Sequence, residues 1–211
     1  MAYDLEQQET ISALRGWFEE NSNWIIGILV AVTLVVGGYR GWNWYQQRQS
    51  AAAAALYDQY QQAYGGKDPA HARDLAAALV QQYGSSAYAS LAALAQARAS
   101  YDAGDATAAK AQLRWVIDQA SSPEFAGLAR IRLAGLLLDE KAYDEGLALL
   151  QTGIPAAMNA EAADRRGDIL FAQGKPAEAR AAYAKALEQA GERSPLRPLI
   201  QSKLDAIPAA G

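Results

Sequence analysis

The chain has no cysteine, which excludes disulfide frameworks, thiolate metal sites and cysteine nucleophiles. It has a single histidine, His71, so a histidine-based triad or a zinc site has almost nothing to draw on. Just after Pro69, that histidine reads as an exposed residue near a helix start. β-Branched residues are sparse beyond Tyr39 and nowhere alternate, so no segment reads as a strand. A phosphate-binding glycine loop needs a strand before it, and Gly65-Gly66 reads instead as a turn. Excess positive charge is lacking too: beyond Gln46 there are 17 basic against 18 acidic side chains. That balance offers no clustered basic surface for nucleic acid. The net charge of −4 comes mainly from residues 1–23, which carry one basic and five acidic side chains. The acid pairs Asp139-Glu140 and Asp144-Glu145 read as solvated groups flanking a turn between helices. No catalytic, cofactor-binding or metal-binding set emerges, and the chain is expected to bind rather than to catalyse.

What is present is one long apolar run. Residues 21–39, NSNWIIGILVAVTLVVGGY, contain no Asp, Glu, Lys, Arg or His. A helix crosses a bilayer with roughly 20 predominantly apolar residues. This run is apolar all round, without the polar stripe of a surface-lying helix. The expected anchor lies in residues 24–45. It comprises Trp24, Ile25, Ile26, Leu29, Val32, Leu34 and Val35, with Tyr39, Trp42 and Trp44 as an aromatic flank at headgroup depth. Gly27, Gly37 and Gly38 are small positions where another helix can approach closely. A cleavable signal peptide needs a positive start and a small-residue cleavage site. Here the start is acidic and bulky aromatics follow the apolar tract. Orientation is nearly balanced by charge: Arg15 and the α-amine precede the run, Arg40 and Arg48 follow it. That count slightly favours a cytoplasmic C-terminal domain.

Residues 46–211 are expected to form one helical repeat domain. They are rich in Ala, Leu, Gln, Arg and Glu, and Gly and Pro punctuate stretches with apolar residues three and four apart. Three segments share an apolar helix, a tight turn and a second helix with a small residue near its start. Aligned on the turn, Gly104, Lys141 and Gly174 are 37 and 33 residues apart. Five residues on come Ala109, Gly146 and Ala179; nine on come Leu113, Leu150 and Tyr183. The small residue lets the second helix lie close to the first, and the bulky one fills the gap behind it. Gly167 is the small position of the first helix in the third segment. The layout resembles the 34-residue tetratricopeptide repeat, although Lys141 replaces a turn glycine and the signature Trp and Pro are missing. Residues 50–64 and 69–83 read as a degenerate leading pair, and residues 194–207 as the terminal cap that such arrays require. The fold class is all-α: a single N-terminal transmembrane helix, then a tetratricopeptide-like solenoid of stacked hairpins with a capping helix. The helix after Tyr39 is expected to run on into Tyr60. First helices usually line the inner surface of such a solenoid, which makes Arg98, Tyr101, Arg130, Asp164 and Arg166 the candidate partner surface.

Four stretches together carry a resemblance: EQQETISALRGWFEENSNWIIG, GYRGWNWYQQRQS after the span, YASLAALAQARASYDAGDATAAKAQL, and ADRRGDILFAQGKPAEARAAYAKAL. The chain resembles the YfgM family, ancillary subunits of the bacterial SecYEG translocon. The resemblance implies a single-pass inner-membrane protein with a short cytoplasmic N-terminus (residues 1–23) and a periplasmic repeat domain, opposite to the slight charge preference. It also implies association with the translocon and with the chaperone PpiD, and a part in passing secreted clients to periplasmic chaperones. Membrane lipid is the remaining expected contact. No cofactor and no catalytic residue carries over. Another envelope-assembly scaffold is the alternative, because fold does not fix function.

Overall fold

The computed structural model describes residues 2–207, with side chains at 11, 15–18, 20–24 and from 26 onward. The side chain of Ile25 and the end of the expected repeat domain past 207 lie outside the described residues. The chain divides into two units between Gln49 and Ser50. One helix, α1 (Ala2–Gly65), is unbroken across the expected junction beyond Tyr39.

In the first unit, α1 is long and apolar enough to cross a membrane, and its most apolar stretch is 0% buried. Trp24, Ile26, Leu29, Val32, Leu34 and Val35 are all exposed. Thr33, the one hydroxyl among them, donates to the Leu29 carbonyl at 2.7 Å, so its polarity is satisfied within the helix. Tyr39, Trp42 and Trp44 follow, also exposed, and the Arg48 guanidinium lies 4.1 Å from the Trp44 ring centroid.

In the second unit, turn chemistry sets the architecture. The helices are α2 (Pro69–Tyr83), α3 (Ala87–Asp102), α4 (Ala106–Gln119), α5 (Pro123–Asp139), α6 (Tyr143–Leu149), α7 (Asn159–Ala172), α8 (Pro176–Gln189) and α9 (Arg197–Asp205). Their starts are marked by Asp68, Ser86, Asp105 and Ser122, whose side chains accept from backbone N–H groups three residues on. The three predicted turns close identically. Gly104, Lys141 and Gly174 take φ of 84°, 60° and 77°. Each donates its N–H three residues back, to Tyr101, Leu138 and Phe171, and the next residue donates five back. A fourth turn follows the same pattern with Lys67, at φ 59°, 37 residues before Gly104. The leading pair is therefore in register with the others, and its turn centres on Lys67 rather than on Gly65-Gly66.

Four hairpins result: the last turns of α1 with α2, α3 with α4, α5 with α6, and α7 with α8. The small positions Ala72, Ala109, Gly146 and Ala179 are all buried, and so are Ala76, Leu113 and Tyr183 four residues later. Gly146 leaves room for Ile169, whose Cδ1 would be 3.1 Å from an added Cβ. Gly167 faces Tyr183 still more closely: an added Cβ would fall 2.6 Å from Cδ1 and 2.9 Å from Cζ. The array is closed by Ile200 of the cap α9 and by Ile207 just beyond it, both buried in one cluster with α8 residues.

Leu150 departs from the repeat pattern. Helix α6 stops at Leu149, so Leu150 is its half-buried cap rather than a core position of a long helix. The chain then turns at Gly153 (φ 72°) and runs through Pro155 into a short 3-10 turn, Ala156–Met158. Pro155 folds back onto Gly127 of α5, where a Cβ would leave it no space.

Candidate functional site

Because each hairpin repeats the same register, the first helices of the pairs present one continuous concave face. A groove of about 770 Å³ lies along it. Tyr57 and Tyr64 of α1, Leu94, Arg98 and Tyr101 of α3, Leu128, Arg132 and Asp139 of α5, and Arg165 of α7 line it. Aromatic and aliphatic walls with a few fixed polar groups are the usual makeup of a binding cleft.

The polar groups fall into two kinds. Some are already paired. Arg98 donates to Asp102 at 2.8 Å, which holds its pKa above the ordinary value. The Tyr101 hydroxyl donates to Asp139 at 2.7 Å, tying α3 to α5 and raising the tyrosine pKa. Others are under-satisfied. Arg132 makes one long contact, 3.5 Å to the Leu94 carbonyl, and has no carboxylate partner among the described residues. Desolvation by the groove walls, and then the like charge of Arg98, lower its pKa. Arg165 lies across α5 where Gly135 has no side chain, its Cζ 3.4 Å from the Cβ that position lacks. One of its nitrogens bonds Asp168 at 3.2 Å, while its buried Nε has no partner.

Of the five residues expected on the partner surface, the groove holds Arg98 and Tyr101. Arg166 instead lines a second concavity of about 680 Å³ with Leu150, Ile154 and Lys185. Arg130 packs under the Gly153 turn, its Nε 2.8 Å from the Cβ position there. Asp164 belongs to an internal cluster: Lys203 of α9 bonds it at 2.8 Å and Asp168 at 2.8 Å, and Tyr183 donates to Asp168 at 2.8 Å. The divergence is one of helix phase. All five sit on first helices, but a helix turns 100° per residue and only one stripe faces inward. Arg132 and Arg165 were missed although both stand nine residues before a turn residue, Lys141 and Gly174. That shared offset was the available signal. His71 is exposed, and its backbone N–H donates to Asp68 at 3.1 Å.

Stacked hairpins along a lined groove define a tetratricopeptide-like repeat domain, and the family model of the tetratricopeptide repeat-like domain matches residues 15–209. Curated relatives extend the match to nearly the whole chain. It is 31% identical over 211 residues to the ancillary SecYEG translocon subunit of Neisseria gonorrhoeae, covering 98% of this chain and 100% of the relative. The subunit of Haemophilus influenzae is 30% identical over 196 residues, 92% of this chain and 94% of the relative. That of Escherichia coli is 27% identical over 203 residues, covering 94% and 93%. The chain belongs to the family of ancillary SecYEG translocon subunits.

Proposed function

We propose that this protein is a non-catalytic accessory subunit of a SecYEG-type translocon, anchored in the bacterial inner membrane by α1 within residues 24–45. Its N-terminal segment faces the cytoplasm and its repeats face the periplasm. The concave groove docks polypeptide there, either an emerging secreted chain or a chaperone of the PpiD kind, and so helps pass clients onward. The observation that carries this reading is the full-length similarity to proteins named as translocon subunits, which spans the apolar run as well as the repeats. The exposed apolar surface of α1 and the extended, lined groove support it.

Purification from membranes in mild detergent tests association: translocon subunits are expected to co-elute, and their absence would count against the reading. A photo-crosslinking residue at Leu128, in the groove, is expected to capture polypeptide partners that the same residue at Ala181, in the second concavity, does not. Protease added to spheroplasts should digest the repeats and spare the N-terminal segment. Protected repeats would reverse the orientation and restore the preference of the arginine count.

A further inference from the structure

The repeat groove does not exhaust the binding surface of the chain. Between Glu20 and Asp58 the only charged side chains are Arg40 and Arg48. An ion pair within a lone helix needs a carboxylate three or four residues away, and neither arginine has one. Both are exposed, as are Tyr39, Trp42, Trp44 and Tyr45 around them. Two guanidiniums without a carboxylate are thus set in an aromatic belt at the C-terminal end of the apolar run. The other end is the reverse, with Glu19 and Glu20 just before the run.

The two arginines also share a face. At 100° per residue, Arg40, Trp44 and Arg48 fall within an arc of about 80° and about 12 Å of helix length. Gly37 and Gly41 lie on the same side, and a Cβ added at either would meet nothing within 4 Å. Side chains on a helix lean towards its N-terminus. Arg48 accordingly reaches back one turn towards the apolar run, its Cζ 4.1 Å from the Trp44 ring centroid. Stacking on a ring occupies the flat face of a guanidinium and leaves its in-plane N–H donors for an anion. At headgroup depth the anion at hand is lipid phosphate, whose oxygens the guanidinium fork matches bidentately. In a zwitterionic lipid that phosphate is offset by the lipid's own ammonium. In an acidic phospholipid it is not.

Building on the anchoring role above, we infer that the face of α1 formed by Arg40, Trp44 and Arg48 binds acidic phospholipid headgroups. Their phosphates accept from the two guanidiniums, and acyl chains lie along the flat strip that Gly37 and Gly41 leave. Glu19 and Glu20 repel the same headgroups, so acidic lipid gathers at the C-terminal end of the span alone.

The test reconstitutes the full-length protein in phosphatidylcholine vesicles with a trace of pyrene-labelled phosphatidylglycerol or pyrene-labelled phosphatidylcholine. Energy transfer from tryptophan to pyrene reports which lipid gathers at the chain, since Trp42 and Trp44 flank the arginines. Phosphatidylglycerol is expected to be enriched about fivefold over phosphatidylcholine, the worth of one basic residue at an anionic surface. High salt should remove that margin. Arg40→Gln and Arg48→Gln should each reduce it, and the double variant should abolish it. Transfer to pyrene-labelled phosphatidylcholine should stay at the parent level throughout, which shows that the variants still insert. Equal enrichment of the two lipids, or a margin that survives in the double variant, overturns the inference and leaves the anchoring role intact. Loss of the margin on adding inorganic phosphate, but not chloride at the same ionic strength, overturns it in favour of a general phosphate site. Absence of transfer to either lipid overturns the anchoring role itself, and the inference with it.

Discussion

Gly167→Ala separates local propensity from tertiary packing, because the two predict opposite signs. Alanine favours a helix interior over glycine by about 1 kcal/mol, so propensity alone predicts stabilisation. The added Cβ, however, would land 2.6 Å from Tyr183 Cδ1 and 2.9 Å from Cζ. The ring cannot swing aside freely: Tyr183 is 3% exposed, and its hydroxyl is held by Asp168 at 2.8 Å. Forcing a carbon into a filled core costs about 1–3 kcal/mol, and giving up the hydroxyl bond costs about 1 more. Set against the gain in propensity, a net loss of about 1–3 kcal/mol is expected. For a domain of this size that is a fall in Tm of roughly 3–9 °C, read from helical circular dichroism of the full chain in detergent. Tyr183→Leu in the same background should recover part of the loss, a coupling that a double-mutant cycle measures directly. A Gly167→Ala protein melting at or above the parent temperature would refute the packing argument.

Four further expectations follow from buried and strained groups. Tyr60 is 1% exposed with an unpartnered hydroxyl, and burial, then Tyr64 and Tyr57, push its pKa up to about 12. The folded state therefore keeps this proton longer than the unfolded one, and stability falls as pH rises from 10 towards 12; Tyr60→Phe should blunt that alkaline loss and add about 1 kcal/mol at neutral pH, checked by denaturant melts. Lys203→Met strands Asp164 and Asp168 together, with side chains 15% and 16% exposed; a loss of about 2 kcal/mol at neutral pH, shrinking in acid as one carboxyl takes a proton, should appear with faster hydrogen exchange in α9. Burial outweighs Lys203 in raising the Asp164 pKa above 3.8, so the native state holds that proton longer and the group's contribution to stability declines as pH climbs through the raised value. Asp164→Asn should flatten the stability profile just above pH 3.8. Lys141→Gly, at φ 60°, should gain about 0.5 kcal/mol and Lys141→Val should lose more than 1, since left-handed backbone penalises a branched side chain.

How much was legible differs by level. Helix ends are written locally: Ser86, Asp105 and Ser122 cap the starts, Pro69, Pro123 and Pro176 open first turns, and Gly104 and Gly174 close the first helices of their pairs. Each acts within a few residues of itself, so periodicity and turn chemistry were enough to find the hairpins and the cap. The apolar run was equally plain, because length and composition alone make a helix able to span a bilayer. The fourth turn was obscured since Lys67 occupies a backbone conformation that composition assigns to glycine. Leu150 departs from the pattern because a count of nine residues from Lys141 assumes a second helix of full length, and α6 ends one residue short of it, at Leu149.

The amino-acid order by itself determined an exposed apolar rod, a repeating helical hairpin and the family to which both belong, since each depends on patterns shorter than about forty residues. Only the tertiary structure decided which residues share the groove. Arg165 reaches the groove that Arg132 also lines because Gly135 lets a side chain from α7 lie across α5, while Asp164 turns away into the Lys203 cluster. Such pairings depend on helix phase and on the angle at which one hairpin stacks upon the next. Neither is carried by any single stretch of sequence.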